Sequence, residues 1–176
     1  VYARQQEKVQ AEKMLREGIA VNPDAIALHI ILVRLYADSQ QFEKAIDQAR
    51  AIITLEADNT NHYLTLAGLY RQNNQINEMT DLLQDLMARD AANEDIRMQV
   101  ARFYMRAGDI AQAEIILQDG LAAVPDSIKY RLLRAEIYAN TNRQDEAIQV
   151  LEEALTTRDD PANPEILSTK NALAQI

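Results

Sequence analysis

Apolar residues recur every three or four positions along most of this chain, and short polar runs interrupt them at regular intervals. Ala27-Leu28-His29-Ile30-Ile31-Leu32-Val33-Arg34-Leu35-Tyr36 has this spacing, and so does the stretch from Glu43 to Leu55. The period is that of a helix face, not the alternation of a half-buried strand. The interruptions are Asp38-Ser39-Gln40, Gln72-Asn73-Asn74, Gly108-Asp109 and Asn140-Thr141-Asn142. These are turn-forming residues. Asp24, Asn59, Asn93 and Ser127 stand just ahead of new apolar runs. Their side-chain oxygens suit N-caps, accepting from the free amides of a helix start. The pattern predicts helical hairpins, with about twelve helical segments counting partial ones at each end.

The hairpins repeat. Tyr2, Tyr36, Tyr70, Tyr104 and Tyr138 stand 34 residues apart. Three positions earlier are Val33, Ala67, Ala101 and Ala135. Nine positions after the tyrosine come Ala11, Ala45, Met79, Ala113 and Ala147, then Leu15, Ala49, Leu83, Leu117 and Leu151. A further column holds Gly18, Ile52, Leu86, Gly120 and Ala154. Complete windows run 26–59, 60–93, 94–127 and 128–161, flanked by partial windows 1–25 and 162–176. Small residues let neighbouring helices approach, and the tyrosine fills the space they leave. One hairpin cannot bury both of its faces, so the hairpins stack into one array.

These columns resemble the tetratricopeptide repeat family. The resemblance rests on Leu32-Val33-Tyr36-Ala45, Leu66-Ala67-Tyr70, Val100-Ala101-Tyr104-Gly108-Ala113-Leu117-Gly120-Pro125 and Ala135-Tyr138-Ala147-Leu151-Ala154. It implies an all-α, right-handed superhelical solenoid of antiparallel helix pairs. Some positions depart from the family pattern. His29, Tyr63, Arg97 and Arg131 occupy its early aromatic position, and Met79 replaces a small residue, so window 60–93 is expected to pack slightly wider. In the last window Ser168, Thr169 and Ala172 fall on core columns. Either that helix gains an extra turn that brings Ala172-Leu173-Ala174 inward, or the array stops there.

In the family, the first helix of each pair lines a concave groove that holds a peptide. By that resemblance one groove column is Ile30, Leu64, Met98, Leu132 and Ile166, apolar throughout. Arg4, Arg34, Arg71, Arg102 and Arg106 flank it, together with Met105. Charge agrees with this division. The whole chain carries −9, but the first helices sum to +5 and the remainder to −14. An acidic or amphipathic protein or peptide therefore suits the groove. The same arginines also suit plain solvation, or pairing with Asp38, Asp95 or Glu136. The subclass that binds acidic chaperone tails needs Lys where Ile30 stands and Asn where Arg34 and Thr65 stand, so that function is excluded.

Other classes have less support. The chain has 176 residues, no cysteine, four glycines and four prolines. That composition disfavours an all-β domain and excludes thiolate chemistry or a disulfide scaffold. The acidic balance argues against nucleic acid, and no apolar run reaches the length of a membrane span. His29 and His62 lack the further ligands that a metal needs. Arg131 and Arg134 suit a salt bridge to a neighbouring hairpin. No catalytic residue, cofactor or metal is expected. The expected role is a non-catalytic interaction scaffold, with bacterial envelope assembly, secretion or polysaccharide export as its setting. The alternative is a structural spacer or oligomerisation segment. Compartment stays open between cytoplasm and periplasm.

The chain opens on Val1, and neither end has a polar cap of the kind a solenoid terminus needs. We expect a piece of a longer array that self-associates through its exposed ends. The phase of the repeat is open to a direct test. Tyr104→Ala is expected to cost about 3–5 kcal/mol in a denaturant melt. Glu153→Ala, on the opposite face, is expected to cost less than about 0.5 kcal/mol. Equal costs would mean that the columns are misassigned.

Overall fold

The computed structural model describes residues 2–156 and 164–174. The side chains of residues 2–5, 165, 166 and 173 lie outside the description, as does the Asp159–Asp160 pair. The described residues form ten helices: α1 Tyr2–Val21, α2 Ile26–Ala37, α3 Phe42–Leu55, α4 Thr60–Gln72, α5 Ile76–Ala88, α6 Glu94–Ala107, α7 Ile110–Ala123, α8 Ile128–Asn140, α9 Gln144–Thr156 and α10 Pro164–Leu173. No strand occurs among them. The chain groups into two compact units, residues 1–86 and 87–176.

The count of ten, not about twelve, has a local cause at α1. A turn was expected near residue 6, at the place equivalent to Gln40. Instead α1 runs unbroken for 20 residues. The sequence Gln5-Gln6-Glu7-Lys8 has neither glycine nor asparagine there, and these side chains are good helix formers.

Where the turn does form, its geometry repeats. Gln40, Asn74, Gly108 and Asn142 all have positive φ, at 56°, 59°, 83° and 58°. Each lies four residues beyond its tyrosine. The next residue then turns back and donates its backbone N–H to the tyrosine carbonyl: Gln41 to Tyr36, Gln75 to Tyr70, Asp109 to Tyr104, Arg143 to Tyr138, all at 2.8–2.9 Å. The orphan carbonyl at each helix end is satisfied this way.

The starts of the first helices are capped as the sequence suggests in three cases. Asn59 accepts from Asn61, Asn93 from Ile96 and Ser127 from Tyr130. Asp24 departs from the expectation. Ala25 precedes α2 without a side-chain cap, and Asp24 instead accepts the Ile26 N–H through its backbone carbonyl.

In residues 1–86, α2 packs on α1 and α3, and α3 packs on α4. Tyr36 and Tyr70 are 4% and 5% exposed, against Ala45, Ala49 and Ala67 at 1% or less. Met79 is buried in the place that other repeats give to alanine. The ring tips reach the preceding second helix. Tyr36 Oη donates to Glu12 at 2.9 Å, and Arg50 Nη2 donates to Tyr70 Oη at 2.8 Å. Burial, then the Glu12 carboxylate, pushes the Tyr36 phenol up. Gly18 lies where α1 meets α2, and a Cβ there would stand 2.8 Å from Leu28 Cδ1, so the leucine tip would have to shift.

In residues 87–176, α7 packs on α6 and α8, and α9 on α8 and α10. Tyr104 and Tyr138 are buried, as are Ala113 and Ala147. Arg143 lies over the Tyr138 ring, 4.1 Å from its centroid, and donates to Glu114 at 2.7 Å, tying one turn to the preceding second helix. In α10, Thr169 is buried in the column held by Ala101 and Ala135, with Ala172 half-buried where the tyrosine would stand. Ala174 is exposed, so no extra turn carries it inward.

The left-handed column predicts opposite effects at two of its members. Gln40→Gly is expected to stabilise the fold by about 0.5–1 kcal/mol, since a side chain at that φ is strained. Gly108→Ala is expected to destabilise it by about 1 kcal/mol. Urea melts of both variants check the pair.

Candidate functional site

The proposed binding face falls on the first helices, and each compact unit presents its own portion. In residues 1–86 it comprises α2 and α4. The capped start of α4 at Asn59 and the turn after Tyr36 fix their rotation. Leu32, Val33 and Tyr36 point into the core, so Ile30, Ile31 and Arg34 face outward. Ile30 is 41% exposed and Ile31 49%, unusual for large apolar side chains on a well-packed helix. Leu64 is half-buried, and Arg71 is exposed on the last turn of α4.

A hollow of about 130 Å³ opens here, lined by Ile30 and Val33 of α2, Ala49 and Ile52 of α3, and His62 and Thr65 of α4. Its floor is apolar and one wall is polar. His62 Nε2 lies 2.7 Å from Glu56 Oε2, and Asn59 Nδ2 donates to the same carboxylate at 3.4 Å. The His62 bond, then that of Asn59, holds the Glu56 carboxyl below the usual glutamate range. Thr65 Oγ1 is committed to the Asn61 carbonyl at 2.8 Å. A second, more polar hollow of about 400 Å³ lies between α1, α2 and α3, lined by Arg16, Leu32, Tyr36, Lys44 and Gln48 among others.

His29 serves the core. Its Nε2 donates to the Pro23 carbonyl at 2.9 Å, and its Nδ1 is 2.8 Å from the Gln48 side-chain amide. The Pro23 carbonyl and Gln48 Oε1 both only accept, so each contact calls for an N–H on the ring nitrogen that faces it.

In residues 87–176 the face comprises α6 and α8, and two of its cations are answered by carboxylates. Arg102 Nη1 lies 3.2 Å from Glu136, and Lys129 Nζ lies 3.0 Å from Asp95 and 3.6 Å from Glu94. The Asp95 hydrogen bond is the main cause that raises the Lys129 ammonium pKa. Met98 and Leu132 are half-buried between these pairs. Met105 is also half-buried, and Arg106 is exposed one residue further on. Arg131 and Arg134 make contacts within α8 and its cap, not with a neighbouring hairpin. Arg131 donates to the Ser127 carbonyl at 3.1 Å and Arg134 to Tyr138 Oη at 2.8 Å. The side chains of Arg4 and Ile166 lie outside the described residues. Among the described residues no group of three or more metal-ligating side chains comes together. No described helix is long and apolar enough to cross a membrane.

The column positions Ile30 and Leu64 were visible in the sequence. His62, Thr65 and the floor residues Ala49 and Ile52 were not singled out for this face. Their signal was weak: His62 is one place out of register with His29, and the floor residues belong to core columns.

Two family models match the chain, both described as tetratricopeptide repeat, over residues 80–137 and 128–161. The second match begins and ends on a 34-residue period that the remaining columns continue. The chain belongs to the tetratricopeptide repeat family. None of the curated proteins matches this tetratricopeptide repeat chain in sequence. Similar solved structures include MamA, at 16% identity and a TM-score of 0.47, covering 88% of this chain and 92% of that one. A thermophilic TPR protein of Thermus thermophilus is 18% identical with a TM-score of 0.48, covering 98% and 93%. YrrB, described as a TPR protein with an unusual peptide-binding site, is 14% identical with a TM-score of 0.49, covering 96% and 86%. Tetratricopeptide repeats make the chain a protein-interaction scaffold.

The His62–Glu56 contact gives a pH signature for the hollow. The depressed Glu56 pKa means that its contribution to stability is present above the usual glutamate value and is lost as pH falls through the folded-state value. A carbon-detected NMR titration is expected to place Glu56 below an unpaired glutamate. His62→Ala is expected to move it up toward the ordinary range, with the Asn59 bond left in place, and an unmoved Glu56 would refute the contact.

Proposed function

We propose that the scaffold binds a peptide or extended partner segment on the first-helix face of residues 1–86. The hollow beside Ile30 is the observation that carries this reading. A site that recognises peptide needs a concavity matched to one side chain, with apolar walls and polar groups at the rim. The Ile30 hollow has about the volume of a leucine, isoleucine or methionine side chain. Exposed Ile30 and Ile31 add apolar area around it, and covering that area would contribute to affinity. Helices α2 and α4 hold Arg34 and Arg71 and no carboxylate, so the face favours acidic or amphipathic segments. Steering of this kind weakens with salt.

Selection of a phage-displayed random dodecamer library against the chain tests the proposal. Enriched sequences are expected to carry an aliphatic residue beside acidic ones, and their binding to weaken at least about fivefold between roughly 50 and 500 mM salt, about the size of one or two screened contacts. Ile30→Arg is expected to abolish capture while leaving the helical circular-dichroism spectrum unchanged. Capture that survives this change, or no enrichment at all, would overturn the reading.

A further inference from the structure

The two units treat the same repeat position differently. In window 94–127 that position is Arg102, and 34 residues on, Glu136 answers it at 3.2 Å. Another position follows the same rule, since Asp95 and Lys129 are also 34 apart and lie 3.0 Å from each other. Equivalent side chains on successive first helices therefore come close enough to pair. The counterpart of Arg102 in the first unit is Arg34. Thirty-four residues further on, where the second unit has Glu136, stands Gly68.

Gly68 has no packing reason to be glycine. A Cβ built there meets nothing within 4 Å, and its φ is not among the positive ones. Glycine inside a helix is unfavourable in itself. The space that a carboxylate fills in the second unit is left open in the first. Arg34 is exposed, and among the described residues no carboxylate pairs with it. Asp38, the next carboxylate along the chain, caps the end of α2.

We infer that Arg34 and the gap at Gly68 receive a carboxylate from the bound segment, one or two residues from an aliphatic side chain seated in the Ile30 hollow. The inference rests on the peptide reading above and names the chemistry of its ligand. Arg34 is one turn beyond Ile30 on α2, and Gly68 is three residues beyond Thr65 on α4, so the hollow and the gap adjoin along both helices. One helical turn is about 5.4 Å, and an extended chain covers that in roughly two residues. A guanidinium grips a carboxylate through two parallel N–H bonds, a geometry that a side-chain amide does not reproduce. In the second unit a ligand carboxylate would have to compete with Glu136 for Arg102 and with Asp95 for Lys129.

Three fluorescein-labelled hexapeptides test this by anisotropy at low salt: a leucine flanked by glutamates, the same leucine flanked by glutamines, and a serine flanked by glutamates. The leucine–glutamate peptide is expected to bind at least about tenfold more tightly than either of the others. Gly68→Glu supplies internally the carboxylate that Glu136 supplies in the second unit. It is expected to bring the two leucine peptides within about twofold of each other and to raise the melting temperature. Arg34→Gln is expected to give the same levelling, whereas Arg102→Gln is expected to leave the preference intact. Equal binding of the two leucine peptides to the unaltered chain, or a preference that survives Gly68→Glu and Arg34→Gln, would overturn the carboxylate site and leave the peptide reading standing. Failure of both leucine peptides to bind would overturn the peptide reading with it.

Discussion

A tyrosine ring lowered onto small residues is the contact on which the repeats depend. Neither helix of a pair has enough apolar surface to be stable in water alone. The rings of Tyr36 and Tyr70 each bridge their own pair and the helix before it, and the alanines beneath let the helix axes come close enough for that reach. The phenol stays buried because its hydroxyl finds a partner, as Tyr36 does at Glu12 and Tyr70 at Arg50. In all four complete repeats the tyrosine's backbone carbonyl is also used, as the acceptor that closes the turn. One residue thus sets both the spacing between helices and the point where the first helix stops. The hydroxyl's partner, which no other large apolar side chain could take, is what favours tyrosine there.

With the rotation of the first helices fixed from inside, their outer faces are free to differ. The tyrosine column is uniform from repeat to repeat, whereas the outward positions are not. Ile30, Leu64, Met98 and Leu132 keep their apolar character but differ in exposure. Around them the charges diverge: α6 and α8 carry the Arg102–Glu136 and Lys129–Asp95 pairs beside exposed Arg106, and α2 and α4 carry two arginines and no carboxylate. A matched pair gives up little water-exposed charge to a ligand, because its groups are already satisfied. Arg34 is exposed with Gly68 where Arg102 has Glu136, and the binding proposals lie there for that reason.

Much of the fold was legible because a repeat states each instruction several times. The helix starts at Thr60, Glu94 and Ile128 follow from Asn59, Asn93 and Ser127, whose capping needs only residues nearby in sequence. The continuous α1 was missed because the expectation carried the period into a place where Gln6 lacks turn chemistry. The Ala25 start of α2 was missed because Asp24 has a capping side chain, yet its backbone makes the contact. The site was less legible. Its groove column could be counted along the chain, but the hollow joins residues from three helices with different periodic roles. Pairing was less legible still: Arg34 and Arg102 occupy the same column, and only their neighbours 34 residues on make one paired and the other not.

Gly120 limits how far these repeats behave as interchangeable parts. A Cβ at that position would stand 2.7 Å from Arg97 Cδ and 2.8 Å from the Tyr130 ring. The column also holds Gly18, and elsewhere Ile52, Leu86 and Ala154, these three buried. Each junction is therefore cut to its own template, and bulk is moved from one side of the interface to the other. A repeat transplanted elsewhere along the chain would bring the right helices and the wrong surface. Duplication, deletion or shuffling of whole 34-residue modules is tolerated only when the residues facing this column travel with it. The unit of exchange is consequently the junction between two hairpins, not the hairpin.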